Sequence, residues 1–319
     1  MSDLRGGIDL GGTKIQTVVV DGDSEVRGKA RRPTPTSGGL AEVAAAMAEA
    51  LREAAAEAGV ETAALGGVGV GSPGDADGKT GVVSSARNLP DWEGSFPLGQ
   101  TLREALGSAV RIGNDVQVAV DGEHRLGIGR KYPSLLGVWW GTGVGGGIVL
   151  DGKSWLGRGA AGEIGHIVVE RGGAKCPCGR KGCMEAYAGR AAMELEARRR
   201  HEEGDKTDLF KLMDKHGKPR LTSGIWSRAL DHGDHLAKKL IERAIEALGT
   251  GVASACNVLD VEAIVIGGGL GDRLGERYMD ALKEEMGKHL FTDRNPPHMQ
   301  VAELGDLGGA IGAALLVED

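Results

Sequence analysis

A pair of glycine turns recurs along this chain at nearly one spacing, and that recurrence limits the folds open to it more than any other feature. Gly12-Thr13 and Gly141-Thr142 lie 129 residues apart, and the turns Asp21-Gly22 and Asp151-Gly152 lie 130 apart. The first copy reads as strand Gly7–Leu10, turn Gly11-Gly12, and strand Thr17–Asp21. The second reads as strand Leu135–Trp140, turn Gly141–Gly143, and strand Gly147–Leu150. Two copies of one β-hairpin point to two related halves. A chain of 319 residues is long enough to form both.

Helical and extended patterns alternate between and after the hairpins. An Ala/Glu-rich amphipathic helix is expected over Leu40–Ala58, closed by Gly59, and a short buried strand over Gly67–Gly71. Ser95–Leu106 reads as a helix, Ala109–Ile112 as a strand delivering Asn114-Asp115, and Val116–Leu126 as a helix. The second half reads as helices at 185–203, 222–231 and 234–258, then strand Ala263–Ile266 running into Gly267-Gly268-Gly269. A helix at 274–287, a strand at 299–303 and an Ala-rich helix from Gly308 complete the pattern, and the charged stretch 202–220 reads as an exposed, irregular insertion.

Composition narrows the function. The chain is 41% hydrophobic and 26% charged, as soluble globular proteins are, and its net charge of −7 argues against a nucleic-acid footprint. The basic run Arg198–His201 meets Glu202-Glu203 at once and reads as a solvated helix face. No apolar run reaches membrane-span length, and the residues from Met1 to Gly6 lack the apolar core of a signal peptide. Four cysteines in so long a chain are no disulfide framework, and Cys256 reads as an inert core residue.

The other three cysteines cluster. His166, Cys176, Cys178 and Cys183 fall within eighteen residues, and three thiolates with one imidazole form a closed tetrahedral set suited to structural Zn²⁺. Cysteines at metal spacing fit a reducing, cytoplasmic setting. The metal does not need the flanking carboxylates Glu163 and Glu185, so the loop also looks like a device for presenting polar side chains.

Three glycine turns end strands. In Asp9-Leu10-Gly11-Gly12-Thr13-Lys14, backbone N–H groups can converge on an anion, Thr13 adds a donor, Lys14 adds positive charge, and Asp9 could hold Mg²⁺. The same pattern also makes a plain hairpin turn. Gly141-Thr142-Gly143-Val144-Gly145-Gly146-Gly147 is followed by a strand rather than a helix, so it fails the context of a dinucleotide fingerprint and instead resembles the first turn. Gly267-Gly268-Gly269 is either a third nucleotide contact or a tight turn. Two related phosphate hairpins fit phosphoryl transfer without a Walker A loop. Asp115, at a strand end before a helix, suits either a helix cap or a general base. Asn88, Asn114, Glu163 and Glu185 lie at turns or element ends, where amides and carboxylates suit the hydroxyls of a polyol.

Together these motifs resemble the ROK family of sugar kinases and sugar-responsive repressors, in the sugar-kinase/actin superfamily. Asp9–Lys14 is similar to its first phosphate motif, Gly141–Gly147 to its second, Gly267–Gly269 to its adenosine-side turn, and Leu307–Ala314 to its closing helix. The pair Glu163-Ile164-Gly165-His166 and Cys176–Glu185 resembles the family hallmark. The resemblance implies an α/β, two-domain, ribonuclease H-like fold with a duplicated core and an active-site cleft between domains. It implies a small domain of 1–116 plus 304–319 and a large one of 117–303 that carries the zinc loop 166–183. It implies ATP-dependent phosphorylation of a hexose 6-hydroxyl, with glucose the first expectation, Mg²⁺ accompanying ATP, and a homodimer or homotetramer. Asp115 would be the general base. Asn88, Asn114, Glu163, His166 and Glu185 would hold the other hydroxyls, with His166 binding zinc through one ring nitrogen. Fructose, mannose, N-acetylglucosamine and N-acetylmannosamine are alternative acceptors in the family, and polyphosphate an alternative donor. Its repressors carry a helix-turn-helix ahead of the first phosphate motif, and eight residues before Asp9 leave no room for one, so the alternative to a kinase is a non-catalytic, sugar-sensing ROK protein lacking that module. Trp139-Trp140 and Val116-Gln117 depart from the common pattern.

Overall fold

A computed structural model describes residues 3–85, 94–292 and 294–318. They fall into two units, one of residues up to 130 with 154–161 and from 303 onward, the other of 131–153 with 162–302. By contacts the chain first divides at 130/131, where the sequence reading puts a boundary at 116/117.

The first unit runs β1 (Arg5–Leu10), β2 (Lys14–Val20), β3 (Val26–Pro33), α1 (Gly39–Glu57), β4 (Val68–Ser72), a small sheet of β5 (Asp75–Asp77), β6 (Val82–Ser84) and β7 (Ser95–Phe96), then α2 (Leu98–Leu106), β8 (Val110–Asn114) and α3 (Asp115–Arg125). The second runs β9 (Leu135–Trp140), β10 (Val144–Leu150) and β11 (Lys153–Ser154), then α4 (Glu185–Ala188), α5 (Arg190–Glu202), α6 (Leu209–Lys215), α7 (Ser223–Asp231), α8 (His235–Leu259), β12 (Ala263–Gly267), α9 (Gly268–Gly287) and β13 (His298–Val301). Helix α10 (Gly308–Leu315) returns to the first unit.

The duplication expected from the glycine turns is present in the sheets. One five-stranded sheet has the order β3-β2-β1-β4-β8 and the other β11-β10-β9-β12-β13. In each, a strand pairs antiparallel with the next strand and parallel with a later one: β1 with β2 and β4, β9 with β10 and β12. Each sheet therefore has a hairpin turn and parallel strand ends at one edge, where ligands of α/β sheets are commonly bound.

Helices cover both faces of the first sheet. On one face α1 buries Met47, Leu51 and Ala54 against Ile8, Ile15 and Val70. Full burial of a side chain like Leu51 contributes about 1.5–3 kcal/mol. The helix ends at Gly59, whose φ of 74° is left-handed; its N–H donates to Ala56 O at 3.0 Å and that of Val60 to Ala55 O at 3.0 Å. Those two bonds form a Schellman motif, the termination expected from the sequence. On the other face α10 lies almost on the backbone: a Cβ at Gly7 would sit 2.0 Å from Ala310 O, and one at Gly69 1.7 Å from Ala313 O. Cys256 is buried in α8, as expected.

Several elements differ from the sequence reading. Ser95–Phe96 is a strand, so α2 starts three residues later than expected, at Leu98. Strand β3 alternates charged and small residues, and its polar, edge-strand character hides it from an apolar pattern. The stretch 202–220 is not wholly irregular or exposed: α6 buries Leu209 and Leu212, and Leu221 is fully buried just after it. Buried Asp234 ties that stretch down, accepting from Thr207 Oγ1 at 2.8 Å, Asp208 N at 2.6 Å and Ala237 N at 2.8 Å. The helix expected over 185–203 breaks at Gly189, and α9 begins directly at Gly268. No helix among the described residues is long and apolar enough to cross a membrane.

Candidate active site

In the first unit the candidate residues gather at one sheet edge. Strand register places Asp9 beside Gly71 and Gly71 beside Gly113, so Asp9 on β1 and Asn114 on β8, with Asp115 next to it, lie at the ends of the two parallel strands that flank β4. Asn114 is the cap of α3: its Oδ1 accepts from Val116 N at 3.0 Å and Gln117 N at 3.1 Å, and its Nδ2 reaches Gly74 O at 3.4 Å. Asp115 is thus the first residue of the helix and not its cap, with Oδ1 accepting from Val116 N at 2.9 Å. Asn88 lies outside the described residues.

The first glycine turn closes through Gly11 N donating to Lys14 O at 2.9 Å, and Thr34 Oγ1 clamps Gly11 O at 2.6 Å. Packing around Asp9 strips water from its carboxyl, and that desolvation, against the pull of Lys14, pushes its pKa up to about 6. A Cβ at Gly309, on the first turn of α10, would stand 2.8 Å from the Asp9 carboxyl, so a larger residue there would have to displace it. Lys14 hydrogen-bonds Gln16 and forms an ion pair with Asp306, which Arg31 also approaches at 3.6 Å. Burial works against ionised Asp306, but Lys14 and Arg31 outweigh it and hold the carboxyl below its ordinary range. The sequence reading does not single out Gly309 or Asp306; the only signal is the Gly-Asp-Leu-Gly-Gly run before the closing helix.

In the second unit two of the three glycine turns meet. A Cβ at Gly141 would be 3.9 Å from Gly269 N, and Gly268, at φ 82°, lies against the Trp140 backbone. Trp139 accounts for Gly267, where a Cβ would strike its ring at 2.8 Å. Trp140 is buried, with Nε1 donating to Ala188 O at 2.7 Å. The tryptophan pair thus fixes the strand between the turns. The break at Gly189 sends the N-terminus of α5 onto the second hairpin, with Arg190 N donating to Gly141 O and Ala191 N to Thr142 O, each at 3.0 Å.

His166, Cys176, Cys178 and Cys183 converge as expected, their ligand atoms all within 4.8 Å of one another. Cys176 Sγ is 3.7 Å from His166 Nδ1, and Cys178 Sγ is 3.8 Å from Cys183 Sγ. A tetrahedral site with Zn–S bonds of about 2.3 Å has S–S edges of about 3.8 Å, so the donor set fits Zn²⁺. Burial pushes the Cys176 thiol up to about 12 and raises Cys183. Burial also works on Cys178, but hydrogen bonding from the Arg180 backbone and the neighbouring thiols outweighs it and lowers that thiol. The loop is folded by a tight turn, with Gly179 N donating to Cys176 O at 2.9 Å and Cys176 N to Arg180 O at 2.8 Å.

The acids flanking the cluster are placed differently. Glu163 is exposed, 3.8 Å from His166 Nε2. Glu185 is half-buried and spans two features: Oε1 lies 3.8 Å from Cys176 Sγ, and Oε2 accepts from Val144 N at 3.0 Å. One carboxylate thus joins the cysteine cluster to the second glycine hairpin, a link the sequence does not signal.

Comparison with known proteins agrees with this arrangement. The ROK family description matches residues 5–319. A glucokinase of Thermotoga maritima is 32% identical over 316 residues, 98% of this chain and 96% of that protein. An N-acetylgalactosamine kinase of a Shewanella species is 33% identical over 324 residues, 97% of this chain and 95% of that protein. The structure of a ROK family glucokinase from Streptomyces griseus in complex with glucose and AMPPNP superposes with a TM-score of 0.84 at 31% identity, covering 98% of each chain. The fold is the two-unit, actin-like sugar-kinase fold, and the chain belongs to the ROK family.

Proposed function

We propose that this sugar kinase transfers the γ-phosphoryl group of ATP to the 6-hydroxyl of a hexose, with glucose as its substrate. The observation that carries the reading is Asp115, a carboxylate at a strand end on the same sheet edge as Asp9 and the first glycine turn. A general base needs that rigid placement. Asp115 takes the proton of the 6-hydroxyl while that oxygen attacks the γ-phosphorus, and ADP leaves with the bridging oxygen. Asn88, Asn114, Glu163, His166 and Glu185 orient the remaining hydroxyls. The turns at Gly11–Lys14, Gly141–Gly143 and Gly267–Gly269 offer amides, the hydroxyls of Thr13 and Thr142, and Lys14 to the nucleotide.

Asp9 would hold Mg²⁺, and the four ligands of the cluster would hold structural Zn²⁺. Mg²⁺ supplies charge neutralisation on the phosphates, and Zn²⁺ supplies rigidity, since four protein ligands leave no open position for water. A cytoplasmic homodimer or homotetramer completes the reading.

A second reading, phosphorylation of an N-acetylhexosamine, is favoured by the N-acetylgalactosamine kinase, which is as similar in sequence as the glucokinase. The two readings differ at the sugar 2-substituent. A coupled ADP-release assay over hexoses and N-acetylhexosamines, repeated with polyphosphate, separates them. The expected result is ATP-dependent turnover with glucose preferred. Preference for an N-acetylhexosamine establishes the second reading, and no turnover with any sugar overturns both.

A further inference from the structure

Helix α3 begins with Asp115 and carries Glu123 about two turns further on. Glu123 looks like a surface residue in the polar run Asp121-Gly122-Glu123-His124-Arg125, yet it is only 1% exposed. A glutamate is rarely buried to that degree unless its carboxyl is satisfied. Here two backbone amides do so: Oε1 accepts from Leu304 N at 2.7 Å and Oε2 from Ile128 N at 3.2 Å. Close helix packing puts the carboxyl within reach. A Cβ at Gly122 would meet Gly312 Cα at 3.1 Å, and one at Gly312 would stand 1.9 Å from Val118 O, so α3 and α10 touch backbone to backbone. Glu123 thereby reaches the chain just ahead of α10, where helix amides favour a carboxylate.

The segment that Glu123 grips leads to the first glycine turn. Leu304 is followed by one 3₁₀ turn, Gly305–Leu307, closed by Gly308 N donating to Gly305 O, and then by α10. Leu304 and Leu307 pack against the cluster of Val18, Val20 and Ile311, which holds the apolar side of the segment. Within five residues of the gripped amide lie Asp306 and Gly309. Asp306 pairs with Lys14 and accepts from Gln16 Nε2 at 3.3 Å. Gly309 borders the Asp9 carboxyl. The other end of α3 is fixed separately, by the Asn114 cap beside Asp115. Loss of the grip at Glu123 therefore reaches Lys14 and Asp9 while leaving Asp115 in place.

We propose that Glu123 is a positioning residue for nucleotide binding: by holding Leu304 N it sets the 304–309 segment so that Asp306 fixes Lys14 and Gly309 borders Asp9. The inference rests on the kinase reading for what Lys14 and Asp9 bind, while the grip on the segment does not.

Steady-state kinetics and isothermal titration with MgATP on the full-length protein test it, with amide hydrogen exchange as a readout that needs no activity. E123M fills the same space without an acceptor. It should raise KM for ATP and weaken MgATP binding about tenfold, with kcat and KM for glucose nearly unchanged. Exchange should rise at 304–309 and also at the turn 11–14, which a purely local support would leave alone. E123Q keeps one acceptor oxygen for Leu304 N and should recover most of the ATP affinity, leaving a rise in KM of about threefold. L102A, a cavity in the core of the same unit, should lower stability without raising KM for ATP. Unchanged ATP KM and unchanged exchange at 11–14 in E123M overturn the proposal. So does a fall in kcat as large as the loss of ATP affinity, or an equal rise of ATP KM in L102A. Should E123M fail to fold, wild-type ATP KM in E123Q overturns it. If the wild type phosphorylates no sugar but E123M still raises exchange at 11–14, the positioning role stands and the kinase reading falls.

Discussion

Asp9 is a carboxylate whose surroundings alter its chemistry. Desolvation lifts its pKa to about 6, well above the usual carboxylate range, while Lys14 pulls the other way. The sign follows: ionised Asp9 is less stable in the folded chain than in the unfolded one. Its contribution to stability is therefore largest below the unfolded pKa of about 3.9 and is lost as pH rises through about 6. Holding Mg²⁺ requires the ionised form. kcat/KM for MgATP should fall about tenfold per pH unit below about 6, while glucose binding, measured directly, stays flat. A profile flat down to pH 5 would contradict this role. Gly309→Ala tests the same carboxyl sterically. The new methyl would stand 2.8 Å from it and should cost about 1–3 kcal/mol of stability, read by denaturant unfolding, together with a raised KM for ATP.

At the scale of elements, the cysteine loop, α4 and the second hairpin act as one piece because Glu185 touches both the loop and the hairpin. Cys178→Ser should lower bound zinc, measured by elemental analysis, from about one per chain towards none. Because Glu185 is shared, that variant should lose affinity for ATP as well as for sugar. Undiminished zinc would contradict the ligand set. Intact ATP affinity in a zinc-free variant would contradict the link through Glu185.

The same elements show what the sequence makes legible. Local signals are strong: Gly59 ends α1 by left-handed geometry, and the spacing of Cys176, Cys178 and Cys183 brings the ligands together. Long-range pairings carry no such signal. Nothing local says that Lys14 meets Asp306, 292 positions away, or that Arg190 meets Thr142, 48 away. The break at Gly189 was hidden because helical residues flank it on both sides, and its use appears only when α5 is seen docked on the hairpin. Helix α6 is hidden because its apolar residues, Leu209 to Met213, span little more than one turn and sit inside a charged stretch.

At the scale of the molecule, duplication explains why one chain carries two hairpins of similar sequence. Each unit offers one hairpin glycine turn at the edge of one five-stranded sheet, and the units then specialise. The first holds Asp9 and Asp115, and the second holds the cysteine cluster and Glu185. The chemistry is thus assigned to the unit without the metal cluster, although that cluster is the plainest motif in the sequence. The substitution Asp115→Asn separates the two contributions, since the amide is nearly isosteric with the acid but cannot accept the hydroxyl proton. The decisive measurement is kcat for ATP-dependent glucose phosphorylation by D115N, with the glucose dissociation constant determined on the same protein. The account predicts a fall in kcat of about 10²–10⁴-fold with sugar affinity nearly unchanged, whereas turnover close to wild type would contradict it.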